Sequence, residues 1–198
     1  MSHHIYRTNA IVLSTRAYKE ADILATFLTE DMGVLRAVVI SGRKESSRHR
    51  YGIQPLSQIG LSLVRGKALW RVTGVQIHEQ WQTLLIRRTD REKMRRIANL
   101  IETLVVEEDM NISLYALFID GMYRIANESD EATRYAHELL MVRFILGELG
   151  YMEKDNHPRH LKGALFSRQI IDEIIKEKAT LVGKINRAIG ASQLYRSL

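Results

Sequence analysis

The amino-acid sequence predicts an α+β chain in two parts, a small closed or partly closed β-barrel over residues 1–84 and an all-α domain over residues 85–198. Three observations carry this. Between Thr8 and His78 the apolar residues come in short runs separated by turn residues, with the two-residue period of strands. From about Trp81 they recur at i, i+3 and i+4, the period of amphipathic helices. Charge divides at nearly the same place: residues 1–88 hold 13 Lys/Arg against 6 Asp/Glu, and residues 89–198 hold 16 against 17.

The strands follow in order. Ala10-Ile11-Val12-Leu13 is a continuous apolar run closed by Ser14-Thr15. Ile23 to Thr29 is rich in Leu, Ile, Phe and Thr, breaks at Glu30-Asp31-Met32-Gly33, and Val34 to Ile40 resumes at once. Asp31-Met32-Gly33 therefore reads as a hairpin turn in which glycine supplies the positive φ. Ile59, Leu61 and Leu63 alternate with Gly60 and Ser62, and Arg65-Gly66-Lys67 turns the chain into a fifth strand, Leu69–His78. Five short strands with one long connection, Gly42 to Gln54, fit a small barrel.

The helices follow the same logic. Met94, Ile97, Leu100, Ile101 and Leu104 predict the first, with Asp90 as its N-cap. Leu114, Leu117, Phe118, Met122 and Ile125 predict the second. Tyr135, Leu139, Leu140, Val142, Phe144 and Ile145 give a third, wider apolar face that ends near Gly147 and Gly150. Ile170, Ile171, Ile174 and Ile175 mark a fourth, Leu181 to Ile189 a fifth, and Glu153 to His160 reads as a polar loop.

Composition narrows the function classes. With 198 residues, 45% hydrophobic and 26% charged, the chain can bury a core without staples. It has no Cys, which excludes disulfides, Cys₄ zinc sites, iron–sulfur clusters and thiol nucleophiles within it. No apolar stretch approaches membrane-spanning length and no secretory h-region is visible, so a cytoplasmic protein is expected. The net charge of +6 divides into +7 on residues 1–88 and −1 on the rest. A basic half of this kind points to nucleic acid or an acidic membrane surface, or else to a solvated charged face.

The long connection is the most informative segment. In Gly42-Arg43-Lys44-Glu45-Ser46-Ser47-Arg48-His49-Arg50-Tyr51-Gly52 four Lys/Arg and a His stand against a single acid. Arg36, Arg65, Lys67 and Arg71 lie on or beside the flanking strands, so one curved face can collect most of these charges, with Arg16 and Lys19 extending the track. Such clusters bind phosphate backbones through counterion release. Tyr51 and Trp70 lie in the same module, and single-strand binders stack bases on aromatic rings. The competing readings are a core Trp70 and a merely solvated loop. The alternation of Trp70 with Leu69 favours partial exposure and stacking.

Other candidate sites are weak. His157 and His160 have Pro158 between them and no completing ligands, so no metal and no cofactor are expected. Glu107-Glu108-Asp109 precedes Asn111, a helix N-cap by type, and reads as an inter-helix turn. P-loop, G-x-S-x-G, H-E-x-x-H and G-x-G-x-x-G patterns are absent, so the sequence offers no enzyme active site.

Thr8-Asn9-Ala10-Ile11-Val12-Leu13, then Tyr18-Lys19-Glu20-Ala21-Asp22, then Leu28-Thr29-Glu30-Asp31-Met32-Gly33-Val34-Leu35-Arg36-Ala37 resemble the opening of the DNA repair protein RecO family. Gly42-Arg43-Lys44-Glu45-Ser46-Ser47 and Gln54-Pro55-Leu56 continue the order. In the C-terminal half the likeness is one of pattern, helices after the barrel and Gly150-Tyr151 ending the third. The resemblance implies an OB-fold followed by a helical domain. It implies a recombination mediator of DNA repair that binds single- and double-stranded DNA and anneals complementary strands. With a RecR partner such a protein helps RecA displace single-strand-binding protein, whose acidic tail is expected on the helical domain. The expected location is cytoplasmic, at the nucleoid. Many relatives carry a four-Cys zinc module at the position of Met152–Lys162; this chain has no Cys, so a short form without that module is expected. The alternatives are an OB-type RNA-binding factor and a protein-docking adaptor.

Overall fold

The computed structural model describes residues 4–106, 112–153 and 166–191; of Ile112 and Ser113 it describes the backbone only. The chain divides into two compact units, Met1–Ile86 with Val105–Tyr115, and Arg87–Leu104 with Ala116–Leu198. Glu107–Asp109, Asn111, His157 and His160 lie outside the described residues.

The first unit is a closed five-stranded barrel of β1 (Ile5–Tyr18), β2 (Asp22–Thr29), β3 (Val34–Val39), β4 (Ser57–Arg65) and β5 (Trp70–Gln80). Around the barrel the strands follow the order β1-β2-β3-β5-β4. Neighbours are antiparallel except β3 and β5, which run parallel with Ala37 opposite Trp70. The expected fold class, an OB-fold-like barrel followed by helices, is the one observed.

Strand β1 serves two neighbours. Ile5 to Ile11 pair with β4 and Ala10 to Tyr18 with β2, the latter pairing carrying an irregularity between Val12 and Ser14. A bulge there bends the strand around the barrel and closes it without an exposed edge. The apolar run at Ala10–Leu13 is only the buried middle of this 14-residue strand, because its ends carry their polar residues on the outer wall. The β2–β3 hairpin turns as expected, with Gly33 at φ +71°. Thr29 Oγ1 locks that turn, accepting the Met32 N–H at 2.9 Å and donating to the Gly33 carbonyl at 2.7 Å.

Inside sit Val12, Phe27, Leu35, Val39, Ile59, Leu61 and Leu63, joined by Trp70, Val72 and Ile53. Each fully buried Leu, Ile or Phe contributes about 1.5–3 kcal/mol relative to exposure. A short helix α1 (Trp81–Leu84) follows the barrel, and the Trp81 indole N–H donates to Gln58 Oε1 at 3.3 Å. The same Gln58 amide donates to the Tyr115 hydroxyl, whose pKa burial raises.

The second unit holds α2 (Arg88–Leu104), the rest of α3 (Ile112–Asn127), α4 (Glu131–Glu148), α5 (Arg168–Lys176) and α6 (Lys178–Ala191). Helix α4 packs against α2, α5 and α6, which explains why it buries residues on several sides, Arg134, His137 and Glu138 among them. Asp130 caps its N-terminus by accepting the Thr133 N–H at 2.8 Å. Its C-terminus closes in a Schellman pair: Gly150, at φ +79°, donates to the Gly147 carbonyl, and Tyr151 N–H reaches back to Leu146. Among the described residues, no helix is long and apolar enough to cross a membrane.

Asp90 is not the N-cap of α2. The helix begins at Arg88, and Asp90 is turned inward, only 1% exposed, with its carboxylate 3.3 Å from Arg134 and 3.7 Å from Lys93. A buried counter-charge, not the backbone N–H groups, claims this side chain.

His137 of α4 is buried and edge-on to Phe166, at 5.4 Å between ring centroids, and its Nδ1 makes no hydrogen bond. Burial, reinforced by the Arg124 charge and opposed by Glu128 and Asp120, lowers its pKa to about 4. The folded state therefore refuses a proton that the unfolded chain takes up below about pH 6.5. Between about pH 7 and about pH 5 the helical unit should lose about 2 kcal/mol through this residue. Urea titrations at both pH values check it: His137→Leu should flatten the dependence, and an unaltered slope would count against the assignment.

Candidate nucleic-acid interface

Strand pairing sets a row of side chains across the outer wall of the barrel. Arg16 of β1 pairs with Leu24 of β2, Leu24 with Val38 of β3, and Val38 with Arg71 of β5. Paired residues share a face, and the interior positions of β2 and β3 are Ala25, Phe27, Leu35, Ala37 and Val39, so this row faces outward. Arg16 and Arg71 are exposed, three strand spacings or about 14 Å apart. Arg36, two residues before Val38, projects from the same outer face of β3 and is half-buried.

The turn between β1 and β2 brings three more cations beside this row. Lys19 occupies the left-handed region at φ +50°. The Asp22 carboxylate accepts the Ser41 N–H at 2.8 Å, and the Arg43 N–H donates to the Ala21 carbonyl at 2.9 Å. The Arg43 guanidinium then donates to the Glu20 carbonyl at 3.0 Å. The segment leaving β3 is thus tied to the β1–β2 turn, and Lys19, Arg43 and Lys44 gather there.

The long connection is a chain of turns. Lys44, Ser47, Arg50 and Ile53 donate backbone N–H groups to the carbonyls of Ser41, Lys44, Ser47 and His49 at 3.0–3.3 Å. At its far end Ile53 enters the core, and the Leu56 N–H donates to the Val12 carbonyl at 2.8 Å. These anchors hold Lys44, Arg48, Arg50 and Tyr51 outward on a shaped backbone; Tyr51 is 71% exposed and its carbonyl accepts from Gln80 at 3.2 Å.

One expected member stands apart. Lys67 lies in the β4–β5 turn, which runs toward the start of β3, whereas the basic loop leaves from its end; Arg65 pairs with Trp70, itself opposite Ala37. The pairing thus sets Arg16, Arg36 and Arg71 on one outer face with Lys19, Arg43 and Lys44 beside it, and leaves Lys67 toward the other end of β3.

Trp70 requires a correction. It is 5% exposed and part of the barrel core, with Tyr6 edge-on at 5.0 Å and the Arg65 guanidinium 5.2 Å from its ring. Alternation with Leu69 puts Trp70 on the same face as Val72, and that face is the interior. Its ring has no open face for a base.

Two residues outside the sequence reading, Arg7 and His78, line a groove on the opposite wall of the barrel. The signal for it was the pair of strand glycines, Gly60 and Gly74, since glycine within a strand marks a close approach.

An OB-fold-like barrel with an anchored basic loop, followed by an all-α unit, defines the class. Residues 1–81 match the family described as Recombination protein O N terminal. The chain is 30% identical over 150 residues to the DNA repair protein RecO of Clostridium perfringens, covering 74% of this chain and 58% of that protein. It is 31% identical over 169 residues to the RecO of Pelotomaculum thermopropionicum (82% and 63%) and 44% identical over 80 residues to that of Heliobacterium modesticaldum (40% and 29%). The chain belongs to the RecO family. It spans less than two thirds of the length of these curated relatives. Zinc ligation by four cysteines does not fit these residues, since the chain has none.

Proposed function

We propose that this chain is a DNA-binding recombination mediator in DNA repair, with the barrel over residues 1–84 holding DNA and the helical residues 85–198 serving protein partners. The observation that carries the reading is the anchored basic loop beside the Arg16–Arg36–Arg71 wall. Its turns fix Arg43 and present Lys44, Arg48 and Arg50 at the surface, the arrangement that neutralises successive phosphates. Single- and double-stranded DNA both offer that backbone. Family membership supports the finer roles: annealing complementary strands, acting with a RecR-like partner, docking the tail of single-strand-binding protein, and thereby helping RecA. This reading assigns the chain no bond-making chemistry and no cofactor.

The test is the salt dependence of binding. Replacing Arg43, Lys44, Arg48 and Arg50 together by alanine should flatten the log–log slope by about three units on labelled DNA. The fold should survive, because the loop's backbone bonds do not use these side chains except at Arg43. Unchanged affinity and slope would falsify the reading. An annealing assay on strands coated by single-strand-binding protein separates a mediator from a passive adaptor.

A further inference from the structure

A second concave surface lies on the wall made by β1, β4 and β5, away from the Arg16–Arg36–Arg71 row. It is a groove of about 600 Å³ lined by Arg7, Gly60, Ser62, Gly74, Gln76 and His78 among others. Its floor is nearly bare backbone. Gly60 pairs with Gln76, and Ser62 with Gly74, so two glycines and a serine face outward where bulky strand residues usually stand.

The absent side chains make room for a ring. A Cβ built on Gly60 would lie 3.1 Å from His78 Nε2 and 3.4 Å from its Cε1, so the imidazole is seated over Gly60. His78 is nonetheless exposed. Arg7, opposite Ser62 on β1, is exposed on the neighbouring strand. The basic loop also touches β5. Gln80, two residues beyond His78 on β5, donates to the Tyr51 carbonyl, and Gly52 rests on Val75.

We infer that this groove is a single-strand subsite, in which an unstacked base lies on His78 above Gly60 while its phosphate meets Arg7; the inference rests on the DNA-binding reading above. Histidine rings are stacking platforms for splayed bases, and stacking on an aromatic side chain is sequence-tolerant. A groove of this volume holds a nucleotide-sized ligand. A duplex keeps its base faces covered by their neighbours, so it offers the platform nothing. Glu30 and Asp31 border the groove, with Glu30 accepting from Asn9 and Asp31 from Thr8. These bonds hold both acids on the β1 rim of the groove, where their oxygens are acceptors for the amino edge of a base.

The experiment compares labelled single-stranded and duplex DNA on the 198-residue chain. His78→Ala should weaken single-strand binding about tenfold and leave duplex binding unchanged. His78→Phe, which keeps a ring, should stay within about threefold of the parent. Arg7→Gln should also weaken the single strand selectively. Thermal melts matching the parent establish that each variant is folded. Wild-type single-strand affinity in His78→Ala, or equal loss on both DNAs, overturns this subsite while the DNA-binding reading stands. A parent protein that binds neither DNA overturns both.

Discussion

Replacing Asp90 by alanine should destabilise the helical unit by about 3–5 kcal/mol, the cost of stripping the partner from buried charges. Asp90 is 1% exposed, and the side chains of Arg134 and Lys93 are 7% and 9% exposed. Its carboxylate lies 3.3 Å from the Arg134 guanidinium and 3.7 Å from Lys93 Nζ, while the half-exposed Arg87 approaches at 3.4 Å. Arg134 also donates to the Glu128 carbonyl at 3.1 Å, so it is held in place and has no easy route to water when the carboxylate goes. Two cations then remain in a dry site. Removing both partners of the central pair is a different change. Asp90→Leu with Arg134→Met exchanges an ion pair for apolar volume, which is often neutral or mildly stabilising. The double variant should therefore be much closer to the parent than Asp90→Ala. Urea titration followed by helical circular dichroism, with the m-value held constant, measures both. A single variant within about 1 kcal/mol of the parent would show that this cluster does not hold the unit together.

The misreading of Asp90 shows where local patterns stop. An Asp just ahead of an apolar helical period is a sound N-cap signal when only neighbours are considered. What draws it inward is Arg134, on a different helix, and no spacing rule connects the two. Features set by neighbouring residues were legible: the Gly33 turn, the Gly150 cap, the helix faces and the long basic connection. Features set by distant pairing were not. Strand β1 looked like a short apolar run because its pairing with β4 joins residues about fifty positions apart, such as Asn9 and Gly60. The groove at His78 depends on that pairing and on a glycine in the next strand, so only the glycines themselves hinted at it. The basic surface was half legible for the same reason. Charge counting found the cations, but strand order decided that Arg16 and Arg71 share a row and that Lys67 belongs elsewhere.

Trp70→Ala should cost the barrel about 3–5 kcal/mol, the range for truncating a buried large aromatic. Trp70 closes the core where β3 and β5 run parallel: opposite Ala37, beside Val72, edge-on to Tyr6 and beneath Arg65. Removing the indole deletes these contacts at once and leaves a cavity that the surrounding strands, tied into a closed barrel, can only partly fill. Trp70→Phe should cost less than half as much, since most of the buried ring is kept. Binding is the second readout. At a temperature where Trp70→Ala is still folded, its affinity for single-stranded DNA should stay within about twofold of the parent, because a ring that is 5% exposed has no face to offer a base. The two measurements pull apart the roles that strand alternation alone left open. A stacking ring would give the reverse pattern, unchanged stability with a binding loss of about 1–3 kcal/mol. Should that pattern appear, Trp70 and not His78 is the platform, and the barrel must open at the Arg65–Leu69 hairpin to expose it.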